Sequence, residues 1–462
     1  MEMNTTNMTH SPYKTIWSLS WPQILMMIFH LMIGLVDVWV AGKLGREIQA
    51  SMGMVSQSLF FFLVIGMAVA NGSVAAISQS IGAGLLLRAK RYVGLCFQLG
   101  AVLGSIIFLI GFPFRNGMLS ILRVPEEMRY VMEYFIEIFL YLLPLYYLLI
   151  ITNAIFRAQK QVFLPLYSMI IVTVLNTILD LGLGLGMWGF PDLGYKGIAL
   201  ATFYSVSAGA VFNLFLLYKS GSLRRKSFAP YRWVRNAFPY LLKVAWPSGL
   251  MQLVWHSGYL ILYSITASLP LENVVALAGM TAGIKIESIL FLPAFAFNMT
   301  ASIIIGHYLG DGKPEEAKKF GFRILFLAIA FLSLTALGLW QFIRPITAII
   351  APELVVLDEA VNYLFFNMLA IPFTLTSMIM AGALNGAGAT LYNLFIFTFT
   401  IWGFRLPLAY YLGHEIFHSA TGIWIAMLLS QIVQASIMLY VFSCRNWQKF
   451  SMTSNKKRNN HG

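Results

Sequence analysis

Residues 163–186 read FLPLYSMIIVTVLNTILDLGLGLG, that is Phe163 through Gly186, and this stretch decides the fold. It offers 24 residues with a single charge, Asp180, and a single amide, Asn176. A helix needs ~20 mainly apolar residues to cross a bilayer, so the stretch is long enough to span. The same pattern recurs along the chain. Of 462 residues 59% are hydrophobic and only 11% are charged, against about 25% charged in an ordinary soluble domain. A soluble enzyme, a disordered chain, a fibrous protein and a disulfide-rich secreted protein are therefore excluded. The unbroken apolar runs also differ from the ~10-residue alternating segments of a β-barrel. What remains is an all-α polytopic membrane protein.

Twelve runs meet the length criterion, at approximately 16–41, 54–80, 92–113, 131–156, 163–186, 197–218, 245–267, 276–306, 322–343, 360–384, 391–412 and 421–443. With twelve spans the two termini and five alternate loops share one face. That face holds 22 of the 31 Lys and Arg residues and the opposite face holds 7, Arg123 among them, while Lys285 and Arg405 fall inside spans. By the positive-inside rule both termini are expected in the cytoplasm of a cell or inner-membrane protein. The net charge of +13 is then loop charge, and no nucleic-acid partner is expected. The two cysteines, Cys96 and Cys444, lie in or at the end of apolar runs and suggest no bridge.

An internal repeat organises these spans. Gly82-Ala-Gly84 with Arg88-Ala-Lys-Arg91 resembles Gly310-Asp-Gly312 with Glu316-Ala-Lys-Lys319, 228 residues on. Ser20-Trp-Pro22 matches Ala245-Trp-Pro247 at an offset of 225, and Gly53-Met54 matches Gly279-Met280 at 226. A near-constant offset over both halves indicates duplication. Six spans per repeat return the chain to its starting side, so the halves are parallel repeats about a pseudo-two-fold axis along the membrane normal. The expected domains are a first lobe at 1–218, a basic cytoplasmic linker at 219–244, a second lobe at 245–443 and a basic cytoplasmic tail at 444–462. Two six-helix lobes form a transporter architecture, with the substrate site at the repeat interface. Pro22 and Pro247, early in the first helix of each lobe, are candidate bending points, because proline removes a backbone hydrogen bond.

Charge inside the membrane costs at least ~2.5–3.5 kcal/mol, so an intramembrane acid is a functional candidate by default. Three of the 18 acidic residues lie well inside spans: Asp37, Asp180 and Glu287. Asp37, Asp180 and Thr202 sit at a common depth, ~6–9 Å below the outer boundary at 1.5 Å per residue. Asn176 lies one turn deeper on the face of Asp180. No Lys or Arg occurs in any span of the first lobe. Two neighbouring carboxylates without a cation cannot both ionise comfortably. Either one holds a proton, or the pair binds a hard cation such as Na⁺ with help from amide and hydroxyl oxygens. Glu287 is expected to pair with Arg405 or Lys285, or else to serve the substrate cavity. His30, two turns before Asp37 on the first helix, is a candidate for the same cavity. No Walker A motif and no nucleophile, base or resident-metal constellation is visible. Neither an enzyme nor a cofactor is expected.

The ordered segments Leu35-Val-Asp37-Val-Trp-Val-Ala-Gly42-Lys-Leu-Gly45, Asn153-Ala-Ile-Phe-Arg157-Ala-Gln, Leu175-Asn176-Thr-Ile-Leu-Asp180 and Gly197-Ile-Ala-Leu-Ala-Thr202 resemble the multidrug and toxic compound extrusion (MATE) antiporters. Ile286-Glu287-Ser288, Gly306-His-Tyr-Leu-Gly310-Asp-Gly312 and Leu384-Asn-Gly386-Ala-Gly388 extend the resemblance through the second lobe. It implies a V-shaped, alternating-access transporter that expels cationic or amphipathic compounds in exchange for H⁺ or Na⁺, working as a monomer. In the DinF-like bacterial and archaeal branch the ion site would fall on Asp37, Asn176 and Asp180, with Thr202 as a further ligand and Asn153 as a polar first-lobe position. The other branch carries acids on the seventh and tenth helices, where the spans read here have none in their interiors. The alternative is a lipid-linked oligosaccharide flippase with similar lobes. Such a protein calls for a strongly cationic cavity, and only Lys285 and Arg405 lie within spans.

Overall fold

A computed structural model describes residues 11–121 and 125–452. Arg123 and the tail residues Lys456, Lys457 and Arg458, counted above, lie outside the described residues. The described chain is helical nearly throughout, because a backbone in lipid must satisfy its hydrogen bonds within each segment. It divides into two compact units.

The first unit contains Trp21–Ala245. Its helices are α1 (Pro12–Leu44), from Trp21 onward, α2 (Arg46–Gly82), α3 (Leu86–Gly111), the short α4 (Arg115–Ile121), α5 (Glu126–Ala158), α6 (Phe163–Leu179), α7 (Tyr195–Lys219) and the opening turns of α8 (Tyr231–Ala267). Helix α6 continues through a π-helical segment, Asp180–Gly184. Helix α5 is the centre of the unit. Val131, Met132, Phe135, Leu142 and Tyr147 are each fully enclosed and pack with Val55 of α2 and Ala210 of α7. The Tyr147 hydroxyl donates to the Phe62 carbonyl of α2. Such contacts hold the spans together by close packing, since lipid offers no hydrophobic drive between helices.

The second unit contains the first turns of α1, through Ser20, and the chain from Trp246 onward. Its helices are the remainder of α8, α9 (Asn273–Gly310), α10 (Pro314–Trp340), α11 (Ile343–Ile350), α12 (Leu354–Ala387), α13 (Thr390–Thr398), α14 (Leu406–Tyr410) and α15 (Ala420–Cys444). Here α12 is central and packs on α9, α10 and α15. Pro372 interrupts it as Pro144 interrupts α5, 228 residues earlier. The Ser20 hydroxyl donates to Thr300 Oγ1 on α9 at 3.0 Å.

Both division points, between Ser20 and Trp21 and between Ala245 and Trp246, fall at the duplicated Trp-Pro pair. Helices α1 and α8 run unbroken through Pro22 and Pro247. The basic stretch expected as a linker is helical from Tyr231 and continues directly into the seventh span.

Eleven helices among the described residues are long and apolar enough to cross a membrane. The seventh expected span, 245–267, forms as part of α8, but its Trp, Ser, Gln, His and Tyr residues leave it less apolar than the rest. The repeat also extends into backbone detail. The fifth span carries one π segment and the eleventh carries two, Phe399–Arg405 and Tyr411–Ile416. Pro407 follows the segment Phe399–Arg405 and cannot donate to the preceding turn, which favours a wider winding there. Gly197 begins the helix after one π region and Gly422 the helix after another, at the repeat offset of 225. A Cβ on Gly197 would lie 2.2 Å from the Leu183 carbonyl oxygen, and one on Gly422 2.4 Å from that of Leu412. Only glycine allows the neighbouring span to approach so closely.

Candidate functional site

In the first unit, α1 presents Asp37 and the α6 junction presents Asn176 and Asp180. Asp180 ends the regular winding of α6 and opens the π segment. Asn176 lies one turn before it, so both side chains share a face. Helix α1 is held against this element by Thr173, whose hydroxyl donates to the Phe29 carbonyl at 3.2 Å. Asp180 and Asn176 are fully buried, while Asp37 is half-buried. The Asp37 carboxylate is within hydrogen-bonding reach of the Asp180 carboxylate and the Asn176 amide, and the Tyr146 phenol of α5 is a near neighbour. Asp37 Oδ1, both Asp180 oxygens and both polar atoms of Asn176 are sealed from solvent with no aligned hydrogen-bond partner. No basic group forms an ion pair with either acid among the described residues. Buried polar atoms are normally paired, and an unpaired carboxylate is costly, so this cluster is short of positive charge. A proton or a hard monovalent cation would supply it.

Thr202 on α7 is buried, but its hydroxyl donates to the Ile198 carbonyl of its own helix at 3.3 Å. His30 is exposed, two turns from Asp37. Asn153 is buried and belongs to a separate knot. The Asn213 amide of α7 donates to Asn153 Oδ1 at 2.8 Å and to Thr152 Oγ1 at 3.0 Å. Asn153 is five residues from one end of α5 and Asp180 seventeen from the start of α6, so the two clusters are roughly 15–20 Å apart in depth. The sequence reading named Asn153, Asn176 and Thr202 among the polar residues but not Asn213, Thr152 or Tyr146. A lone amide deep in an apolar span, as Asn213 is, was the available signal.

The second unit holds a different cluster. Glu287 of α9 accepts from the Tyr363 hydroxyl of α12 at 2.6 Å. Arg405 ends a π segment, is 3% exposed, and donates from Nε to the Ser430 hydroxyl of α15 at 2.8 Å. Tyr259 of α8 neighbours both Glu287 and Arg405. It is brought in beside Gly258, where a Cβ would meet Ile401 of the π segment at 2.4 Å. The ion pair expected for Glu287 does not form with Arg405 or Lys285 among the described residues. Lys285 is two residues away and so faces elsewhere on α9. Arg405 is turned towards α15 instead. A second correction concerns the tenth helix. It starts at Leu354, earlier than the span reading, and so carries Glu359, which accepts from Trp424 Nε1 at 2.6 Å.

Two duplicated bundles of membrane-long helices, with buried carboxylates short of counter-charge, define an integral membrane protein built like a secondary transporter. The comparisons with known proteins agree. The MatE family model matches residues 22–181 and 247–411, once in each repeat, and the chain belongs to the MATE family of membrane transporters. A model for the lipid II flippase MurJ matches residues 124–266. A protein of Thermotoga maritima named as a probable multidrug resistance protein NorM is 24% identical over 451 residues, covering 96% of this chain and 95% of its own. An FAD transporter of Shewanella oneidensis is 24% identical over 401 residues, covering 86% and 87%. Among solved structures, a MOP superfamily transporter from Pyrococcus furiosus superposes with a TM-score of 0.87 at 18% identity, covering 96% of this chain and 97% of that one.

Proposed function

We propose that the protein is a secondary active efflux transporter, exporting cationic or amphipathic organic compounds by antiport with H⁺ or Na⁺. The observation that carries this reading is the buried, unpartnered cluster of Asp37, Asp180 and Asn176. The names of the multidrug resistance relatives support the substrate class, and the 22-to-7 asymmetry of basic residues supports cytoplasmic termini. From the outer side H⁺ or Na⁺ reaches Asp37 and Asp180 and neutralises them. Thr202 joins the ligand set by rotating its hydroxyl away from Ile198. The pair then no longer attracts an organic cation, which leaves outward, and α1 bends near Pro22. After the alternation the ion departs to the cytoplasm. Coupling arises because ion and drug prefer different states of the same acids. His30 and Asn153 line or support the first-unit path, and Pro247 gives α8 the bending point that Pro22 gives α1.

The test uses proteoliposomes loaded with rhodamine 123, under a Na⁺ gradient or a pH gradient applied separately. Wild type should extrude the dye under one of them, and Asp37→Asn and Asp180→Asn should not. Undiminished gradient-driven extrusion by both variants would sink the assignment. The match to MurJ over 143 residues of 124–266 favours one second reading, a flippase for lipid-linked oligosaccharide. Transport of such a lipid with none of the dye would establish it instead.

A further inference from the structure

A cavity of about 490 Å³ opens in the second unit between α9 and the segment that joins α11 to α12. Sites for small ligands typically measure roughly 300–1,000 Å³. Leu277 and Ala282 of α9, with Ile350 and Val356 opposite, give it an apolar wall. Lys285 of α9 and Glu353, the residue that precedes α12, complete the lining with opposite charges. They do not meet within 4.0 Å, and neither forms an ion pair with any other group among the described residues. Charges close by that can pair do so, since Arg344 of α11 meets Asp358 of α12 at 2.7 Å. Depth explains the separation. Gly279 packs at Glu359 and Gly283 at Tyr363, so α9 and α12 run parallel and Glu353 stands level with the start of α9. Lys285 lies twelve residues further in, ~18 Å of helix rise, part of which its long stem recovers by leaning toward the helix start. An unpaired lysine at this depth is costly, so the cavity calls for an anion below and a cation above. Beside it Ile349, Leu354 and Val355 are 83%, 68% and 53% exposed, an apolar collar suited to acyl chains rather than water.

We propose that this cavity holds the head of a phosphatidylethanolamine, with its phosphate on Lys285, its ammonium on Glu353 and an acyl chain along the apolar wall. The order of charges fits, because in this lipid the phosphate joins the glycerol and the ammonium lies beyond it, nearer the water. The topology proposed above makes the leaflet the outer one. The lipid site itself goes beyond the efflux reading and does not depend on it.

Three probes separate the parts of this contact when titrated onto the purified full chain in detergent and counted by native mass spectrometry. Dioctanoyl phosphatidylethanolamine carries chains, phosphate and ammonium. Dioctanoyl phosphatidylglycerol lacks the ammonium, and glycerophosphoethanolamine lacks the chains. Wild type should bind phosphatidylethanolamine at least about fivefold more tightly than phosphatidylglycerol, as a hydrogen bond to a charged group would give. Glycerophosphoethanolamine should bind at least about tenfold more weakly, through loss of the buried chain. Lys285→Gln should weaken both lipids by about fivefold or more, since both offer the phosphate. Glu353→Gln should weaken phosphatidylethanolamine by a similar factor and leave phosphatidylglycerol as tight as before or tighter. The proposal is overturned if wild type does not prefer phosphatidylethanolamine, if Lys285→Gln keeps the wild-type affinity, or if Glu353→Gln weakens both lipids equally. Glycerophosphoethanolamine binding as tightly as the lipid would also overturn it, by showing that the cavity takes a soluble zwitterion. No outcome touches the acids of the first unit, so the efflux reading stands or falls on its own test.

Discussion

Replacing Asp180 by Asn removes one acid from the buried pair while keeping its size and shape. In the wild-type structure Asp180 is fully enclosed and Asp37 is its close neighbour, with no cation near either. Discharging one carboxylate at this depth is worth about 2.5–3.5 kcal/mol on insertion scales. A coupling between ion and drug drawn from that energy is typically about 1–3 kcal/mol, or roughly 5–150-fold in affinity. The sign follows from charge. As pH falls the acids take up protons, the cluster loses its negative charge and a bound organic cation is released. Rhodamine 123 affinity of the purified wild type should therefore weaken by at least about fivefold between pH 8.5 and pH 5.5, or on adding Na⁺ in place of choline. In Asp180→Asn the same titration should change affinity clearly less than in wild type, since only Asp37 is left to switch, and in the double variant Asp37→Asn/Asp180→Asn it should change affinity less than twofold. Fluorescence polarisation at constant ionic strength measures both. A variant that keeps the full wild-type dependence on pH or Na⁺ would show that the coupling charge lies elsewhere.

Two other outcomes follow from packing and pairing. Gly197→Ala places a Cβ 2.2 Å from a backbone carbonyl that has no room to yield, so it should cost about 1–3 kcal/mol and lower the melting temperature in detergent. A melting temperature equal to wild type would mean that the close approach of α7 to the π segment is not required. Asn213→Ala strips Asn153 and Thr152 of their shared donor in a buried site, for a loss of about 1–3 kcal/mol in the same assay. Its dye-binding pH dependence should stay at the wild-type value, because this knot is well separated in depth from the acids.

Some of the site could be read directly because charge is rare in this chain. Asp37, Asn176 and Asp180 stand out in apolar runs, and helical periodicity alone puts Asn176 and Asp180 on one face. The second-unit cluster was legible only in part. Glu287 and Arg405 were visible as intramembrane charges, yet their partners are Tyr363 and Ser430. Tyrosine and serine are too common in membrane helices to be singled out by type. The start of α12 was misplaced for a related reason. Helices extend beyond the apolar stretch, so a span drawn by hydropathy begins after Glu359.

Class, repeat and the candidate ion-site residues were therefore determined by the sequence itself, because the bilayer imposes a length, forbids unpaired charge and turns each surviving acid into a signal. The tertiary structure decided what periodicity has no means to express. It set which helix supplies the partner of each buried group, where the fifth and eleventh spans widen into π turns, and that Arg405 turns to Ser430 of α15 rather than to Glu287. Those features depend on rotamers and on helix-to-helix distances set by glycine and proline contacts between segments far apart in the chain. A one-dimensional pattern carries no measure of such distances.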